Sequence, residues 1–454
     1  MITLEDVLIA KENRVARREL FQLNQALPVL TFSLNIPGNV KDSDPIRKLF
    51  RAGVERIEKE FLIEKSQCFY EETGFYGFFL IREEPLQLKV LCCQIENEGS
   101  YQRLWDLDVN DSSGKAVALA ERNQGRKCFL CDHLSSQCMR EQRHSGEEIQ
   151  VQVENLFFDF FAQASRKVSQ LAEQYGAIAT EAALFEAASF PSPGLVDPLN
   201  SGSHSDMDYF TFLRSTAALS MGFARCAEAG LQHQGEAKYL LPVLRRIGME
   251  AEQEMFAATS GVNTQKGLLF SLGLVLGATG ILAKEGDSVS IEAIQAVVKE
   301  MTAGLVEAEL KRLSQKEKLT AGEMIYQKFS LSGIRGEVEA GFPSVFEVGL
   351  SALEKALGQN FGLHQSLMIV LVSLMSVVED TTILWRAPDL ETLEWVQDRS
   401  IQILASNQLG NLNWQETMDE LNQEFVARNI SPGGSADLVA VTWYYYKIKN
   451  NLKK

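Results

Sequence analysis

The sequence predicts two architectures in one chain, an α+β domain followed by a larger all-α domain. Three observations carry this. Up to about residue 110, strand-like alternation is interleaved with helical spacing of apolar residues. From residue 147 onward the spacing is helical almost throughout. No tandem repeat of fixed period runs through the second part. A chain of 454 residues accommodates two or three domains.

The elements follow in order. "LEDVLIAKENRVARRELFQLNQAL" (4–27) has helical spacing, and 28–36 reads as a strand. Residues 45–63 read as a helix with Pro45 in its first turn. "CFYEETGFYGFFLI" (68–81) reads as strand broken by a glycine-containing turn, and "LQLKVLCCQIE" (86–96) as another strand. "LWDLDV" (104–109) alternates apolar and acidic residues, the mark of a strand with one polar face. One or two helices cover 147–188. Further helices are predicted at 208–230, 237–259, 265–284, 290–314, 319–329, 343–357, 363–379, 389–406, 414–428 and 435–450. The domains are placed at 1–168 and 169–454.

Composition narrows the function. A net charge of −16 argues against a nucleic-acid binder, which needs a lysine and arginine excess, but leaves a nucleotide substrate open. The longest apolar runs, 268–283 and 366–378, are shorter than the roughly 20 residues of a membrane span and read as buried helices. "MITLEDVLIAKENR" lacks the apolar core of a secretory signal, and seven cysteines without secretory context point to reduced thiols. A cytoplasmic protein without a membrane partner is expected.

Three stretches of the first part carry chemistry. Asp106 and Asp108 lie two apart on a strand, so both point to one face, where they can hold Mg²⁺ against phosphates. A solvated acidic strand is the plainer alternative. Lys41, Ser43 and Arg47 surround a helix start, which can bind an anion or be simply capped by Ser43 or Asp44. Cys128, Cys131, Cys138 and His144 form a compact set of four potential zinc ligands, or else reduced thiols in a turn.

"IPGNVKDSDPIRKLFRAG", "RLWDLDVND" and "GRKCFLCD" together resemble the phosphoribosyl-dephospho-CoA transferase that matures apo-citrate lyase, over about residues 1–165. The resemblance implies a nucleotidyltransferase-like domain with a mixed sheet. It also implies transfer of a prosthetic group to a serine of the acyl-carrier (gamma) subunit, with pyrophosphate released. Asp106 and Asp108 would then be catalytic and metal-binding. Lys41, Ser43, Arg47 and Arg103 would meet the substrate.

The second part has its own polar loops. In 190–216, His204, Asp206 and Asp208 precede a helix, as capping groups or as a Mg²⁺ or base cluster. Asn263 and Lys266 stand at a helix start, where Lys266 can meet phosphate. The glycines of "GLVLGATGILA" read as close helix packing, because no second strand with a ribose-binding acid follows. Arg335, Glu337 and Glu339 lie between glycines. Glu379 and Asp380 are read at the end of an apolar helix, where acids oppose the dipole, which favours a cationic partner such as Mg²⁺. "SPGGSADLVAVTW" lacks the lysine of a P-loop and the order of a nucleophile elbow. Ser435 can cap its helix, with Asp437 in the first turn.

"SPGLVDPLNSGSHSDMD", "GVNTQKGLLFSLG", "GIRGEVEAGFPSV" and "SPGGSADLVAVTW" resemble triphosphoribosyl-dephospho-CoA synthase, in order over about 170–450. The segment at Arg386 departs from that pattern. The resemblance implies that ATP and 3'-dephospho-CoA are joined at the ribose C1 of ATP, with adenine released. Asp206, Asp208, Glu337 and Asp437 are the candidate catalytic acids. His204, Asn263, Lys266, Arg335, Gly433, Gly434 and Ser435 are candidates for binding, and Asp206 and Asp380 for Mg²⁺. Two alternatives stay open: the same chemistry serving malonate decarboxylase, and a non-enzymatic helical scaffold.

Overall fold

A computed structural model describes residues 4–38, 40–119, 126–284, 289–310 and 319–451. Two compact units divide the chain, Met1–Gln163 and Ala164–Lys454.

The first unit is built on β1 (Val29–Leu34), β2 (Ile63–Glu71), β3 (Gly74–Ile81) and β4 (Trp105–Asn110), in the order β2-β3-β1-β4. Every registered pair is antiparallel, so the sheet is not mixed. A tight turn joins β2 to β3, and β1 runs against both of its neighbours. One face buries Leu30, Phe32, Leu107 and Val109 beneath α2 (Asp44–Glu60), α3 (Pro85–Glu96) and α5 (Gly146–Ala164). The other face meets α1 (Leu4–Gln22), where Phe21 packs on Phe78.

The segment read as a strand at 86–96 is the helix α3. Pro85 opens it, Glu84 caps it by accepting from the Gln87 amide, and Leu88, Cys92 and Ile95 bury one stripe. Spacing of four and three outweighed the β-prone composition.

The second unit is helical: α6 (Gln170–Ala188), α7 (Tyr209–Gln232), α8 (Leu240–Ala258), α9 (Lys266–Lys284), α10 (Ile291–Thr302), α11 (Leu305–Glu309), α12 (Ala321–Phe329), α13 (Ile334–Glu339), α14 (Leu350–Gly358), α15 (Leu363–Met375), α16 (Thr381–Arg386), α17 (Leu390–Ala405), α18 (Trp414–Ala427) and α19 (Gly433–Asn451). A short α4 (Ser135–Arg140) precedes α5 in the first unit. The helix expected over 290–314 breaks at Gly304, whose φ of +79° turns the chain, and 311–314 lie outside the described residues. The stretch 344–349 is a π-helical segment that runs into α14, and α15 stops at Met375 instead of reaching 379.

Helix α7 packs on α6, α8 and α9. It meets α9 backbone to backbone. A Cβ on Gly230 would lie 2.1 Å from the Gly277 carbonyl oxygen, and one on Gly280 2.2 Å from that of Ala227. Gly230→Ala is therefore expected to destabilise the helical unit by about 1–3 kcal/mol through overpacking. Thermal melting checks this, with Gly248→Ala, which meets nothing within 4 Å, as the neutral control.

Candidate functional sites

In the first unit, Thr31 and Ser33 of β1 stand opposite Asp108 and Asp106 of β4, so all four share the face toward α1. The alternation read from the sequence places the two carboxylates together as expected. Asp106 is half-buried and pairs with Arg126 at 2.7 Å. Burial raises its carboxyl above the ordinary range against the pull of Arg126, and Asp108 and Glu96 add to the rise. Arg126 also binds the buried Glu96, whose Oε1 accepts from the Leu107 amide at 2.8 Å. Asp108 is exposed and lies 3.3 Å from Lys89, which also donates to the Leu107 carbonyl.

Helix α1 contributes a basic flank that the motif reading missed. Arg14 lies over the Tyr76 ring, Arg17 pairs with Glu71 and Tyr76, and Arg18 donates to Asn110. The Nε atoms of Arg14 and Arg18 and the hydroxyl of Thr31 are buried with no hydrogen-bond partner among the described residues. Burial lowers the Arg14 pKa, while Tyr76, Glu71 and Asp106 act to hold its charge. The signal in the sequence was the spacing of Arg14 and Arg18, one helical turn apart.

Lys41, Ser43 and Arg47 are placed differently from an anion cradle. Lys41 donates to the Ile36 carbonyl, Arg47 makes a two-point pair with Asp42, and the Ser43 side chain makes no cap bond at the start of α2. Arg103 turns its guanidinium to the carbonyls of Lys127, Cys128 and Phe129. It lines a cleft of about 520 Å³ together with Arg126, Trp105 and Lys127. Cys128, Cys131, Cys138 and His144 converge beside that cleft, with all their ligand atoms within 4.8 Å of one another.

In the second unit, four of the polar stretches meet. Asp380, 2% exposed, is the hub. Its carboxylate accepts from the Thr382 amide (3.0 Å) and hydroxyl (2.6 Å) at the start of α16, and from the Gly434 amide (3.2 Å) and Ser435 amide (2.7 Å) and hydroxyl (2.9 Å) in α19. Asp380 therefore sits at two helix N-termini, where the dipole favours an acid, and not at the end of α15. The dipole conflict that pointed to a cation there is absent. Gly434 is small for the same reason, since a Cβ would lie 2.8 Å from the Asp380 carboxylate. Ser435 is pinned by Asp380 inside α19 and does not cap it.

Asp437 lies beyond the first turn of α19 and reaches across to the start of α9. A Cβ on Gly267 would sit 2.1 Å from its Oδ2, and the Leu268 amide donates to it. Burial holds its carboxyl well above the usual range, and the charges of Glu186 and Asp380 push the same way. Glu186, at the end of α6, is pushed up to about 7 by burial. It was missed by the motif reading. Its signal was a lone acid in the small-residue stretch "LFEAAS".

The loop 190–208 closes one side. Asp197 ties it by accepting from the amides of Ser192, Leu199 and Asn200. Ser203 donates to the Ile430 carbonyl at 2.6 Å, and His204 Nε2 lies 2.8 Å from the Ser431 hydroxyl. Burial keeps His204 below its ordinary pKa, helped by Arg386 and opposed by Asp206. Arg386 bridges the Ser203 carbonyl to Asn429. Asp206 is exposed, 3.9 Å from His204.

The remaining candidates have structural partners. Asp208 caps α7 by accepting from the Thr211 amide and hydroxyl, which lowers its pKa. Glu337 accepts from the Ser344 amide and hydroxyl, and burial raises its pKa. Glu339 holds the amides of Gly304 and Val306, and Arg335 pairs with Glu309. Lys266 is exposed and pairs with Glu252. Asn263 is exposed beside Thr264, which donates to Ser215. The neighbouring Gln265 accepts from Ser215 and Thr216, and its Nε2 is buried with no partner among the described residues.

Enclosed carboxylates with raised pKa, such as Asp106, Glu186 and Asp437, mark both units as holding candidate sites for acid–base chemistry. Comparison with known proteins makes this specific. Residues 172–454 match the family model for ATP:dephospho-CoA triphosphoribosyl transferase, and residues 2–160 that for apo-citrate lyase phosphoribosyl-dephospho-CoA transferase. The chain is 30% identical over 472 residues to protein CitXG of Haemophilus influenzae, across 99% of this chain and 97% of that one. It is 30% identical over 464 residues to protein CitXG of Leuconostoc mesenteroides subsp. cremoris, across 99% and 98%. A probable 2-(5''-triphosphoribosyl)-3'-dephosphocoenzyme-A synthase of Malonomonas rubra is 38% identical over 283 residues, 62% of this chain and 89% of that one. The chain belongs to the family of fused citrate lyase maturation proteins. It is a bifunctional transferase that builds the citrate lyase prosthetic group from ATP and dephospho-CoA and attaches it to the acyl-carrier subunit.

Proposed function

We propose that the synthase reaction runs at the cluster of Glu186, Asp380 and Asp437, and the transfer at the face carrying Asp106 and Asp108. The observation that carries the first assignment is the meeting of loops more than 200 residues apart in sequence, 190–208 and 429–435, the second of which is held by Asp380. Displacement at an anomeric carbon passes through a cationic sugar, which a carboxylate stabilises while a second group takes the proton of the incoming hydroxyl. Glu186, half-buried and poised near neutrality, is suited to take the proton of the dephospho-CoA 2'-hydroxyl. Asp437 beside it, on giving up its proton, offsets the developing positive charge. Asp380 positions both helix starts and is a positioning residue.

In the first unit, Asp106 takes the proton of the carrier serine, and Arg14 and Arg18 meet the triphosphate of the incoming precursor. Mg²⁺ fits Asp106 and Asp108, two carboxylates on one face of which one is exposed; bound there, it would offset phosphate charge. Zn²⁺ fits the thiol-rich set at Cys128, Cys131, Cys138 and His144. The protein acts in the cytoplasm, without membrane or nucleic acid. Helix α9 is apolar enough to span a bilayer, but 67% of its apolar stretch is buried, and the net charge of −16 repels phosphate backbones.

The pH profile tests the role of Glu186. Its folded pKa of about 7 lies above its ordinary 4.5, so the base is unprotonated only above about pH 7. Adenine release is expected to rise with pH through that region, and Glu186→Gln to remove the dependence together with most of the rate. The linkage has the opposite sign for stability. Between about 4.5 and 7 the folded state binds more protons than the unfolded one, so ligand-free stability falls as pH rises through that window. An unchanged pH–rate profile in Glu186→Gln would exclude it as the base.

A further inference from the structure

We propose that Cys128, Cys131, Cys138 and His144 hold one structural zinc ion, and that this ion builds the wall of the transferase cleft. The inference rests on the reading of the Asp106 face as the transfer site, which the cleft adjoins through Arg126.

The four ligand atoms lie within 4.8 Å of one another, a spacing that suits a closed four-ligand site. Cys131 Sγ lies 3.4 Å from Cys138 Sγ, and His144 Nε2 lies 3.3 Å from Cys131 Sγ. Ligands at about 2.3 Å from a common zinc stand about 3.8 Å apart, close to what is seen. The sulfurs are too far apart for a disulfide, which needs about 2.05 Å. The turn also has the backbone of a metal knuckle. The Leu130 amide points at the Cys128 sulfur at 3.5 Å, the Cys128 amide donates to the His133 carbonyl at 2.7 Å, and the Ser135 amide to the Arg126 carbonyl at 2.7 Å. Four protein ligands leave no place for a reacting water, so the ion is structural.

The segment needs such an ion. Within 126–144 the only buried residues are Cys128 and Cys138, two of the ligands themselves. Leu130 is 36% and Met139 70% exposed. A stretch with so little apolar burial does not offset its ordering entropy, and metal binding supplies what the core does not.

The ion acts on the site through two arginines. Arg103 donates to three successive carbonyls of the knuckle, those of Lys127, Cys128 and Phe129. Arg126, the first residue of the knuckle, is the partner of Asp106 at 2.7 Å. Ordering the knuckle therefore places the guanidinium beside the candidate catalytic carboxylate and shapes the cleft of about 520 Å³.

The test uses the full chain, purified under reducing conditions. Metal analysis should find about one zinc per chain. Cobalt substituted for zinc should give thiolate-to-metal charge-transfer bands. Cys131→Ser and Cys138→Ser should lose the metal. Transfer of supplied precursor to the apo acyl-carrier should fall at least about 10-fold, the scale of supporting metal interactions. Adenine release by the synthase half should stay at the wild-type rate and serves as the folding control. Stripping wild-type protein with a chelator and adding zinc back should abolish and restore transfer without any mutation. Reduced protein that binds neither zinc nor cobalt overturns the site. Metal-free protein that transfers at full rate overturns the role in the cleft wall. Full transfer by Asp106→Asn would instead refute the reading of the cleft, whatever the zinc result.

Discussion

Asp437→Asn is expected to reduce adenine release from ATP plus dephospho-CoA by about 100-fold or more, the range seen for positioned acid–base groups. The isosteric amide still accepts from the Leu268 amide and keeps the join between α19 and α9, so the fold survives. What it removes is a carboxyl that can give up its proton and offset the charge of the reacting sugar. Coupled steady-state kinetics read the loss. Retention of more than a third of the wild-type rate would remove Asp437 from the chemistry. Transfer of supplied precursor to the carrier should be unchanged.

Asp106→Asn is expected to produce the mirror image, with transfer to the acyl-carrier subunit lost by about 100-fold or more and adenine release intact. The reason is local. Asp106 is the half-buried member of the pair, held against Arg126 and raised by its surroundings, whereas Asp108 is exposed beside Lys89. Asp108→Asn should therefore cost less than Asp106→Asn. The comparison is made by mass shift of the apo carrier subunit with precursor supplied. Equal losses in the two variants would mean that the two carboxylates act only as a joint metal clamp.

Several features were legible in the sequence because a periodicity or a spacing encodes them. The alternation in "LWDLDV" placed Asp106 and Asp108 on one face, and the register opposite Ser33 and Thr31 shows why. The glycines of α9 read as packing, and Gly280 does face α7 while Gly277 faces Leu244 of α8. Other features depend on which distant element a side chain meets, and no local pattern encodes that. Asp380 looked like an acid at the wrong end of a helix until its five donors placed it at two helix starts. Gly433 and Gly434 looked open to a ligand, yet their room is filled by Thr382 and Asp380. Glu186 carries no motif at all, and only the enclosure around it raises its pKa. The helix at 86–96 has a local cause, since a proline at its start and apolar residues at spacings of four and three outweigh the strand-prone composition.

The central claim is that one chain carries two complete and separable sites, each resting on a named carboxylate. Intact-mass spectrometry of the apo acyl-carrier subunit tests it most directly, with ATP and dephospho-CoA as the only other substrates. Asp106→Asn alone and Asp437→Asn alone should each leave the carrier unmodified. A mixture of the two variants should add one prosthetic group, because each supplies the step the other lacks. An unmodified carrier in the mixture, or modification by either variant alone at the wild-type rate, would contradict the account.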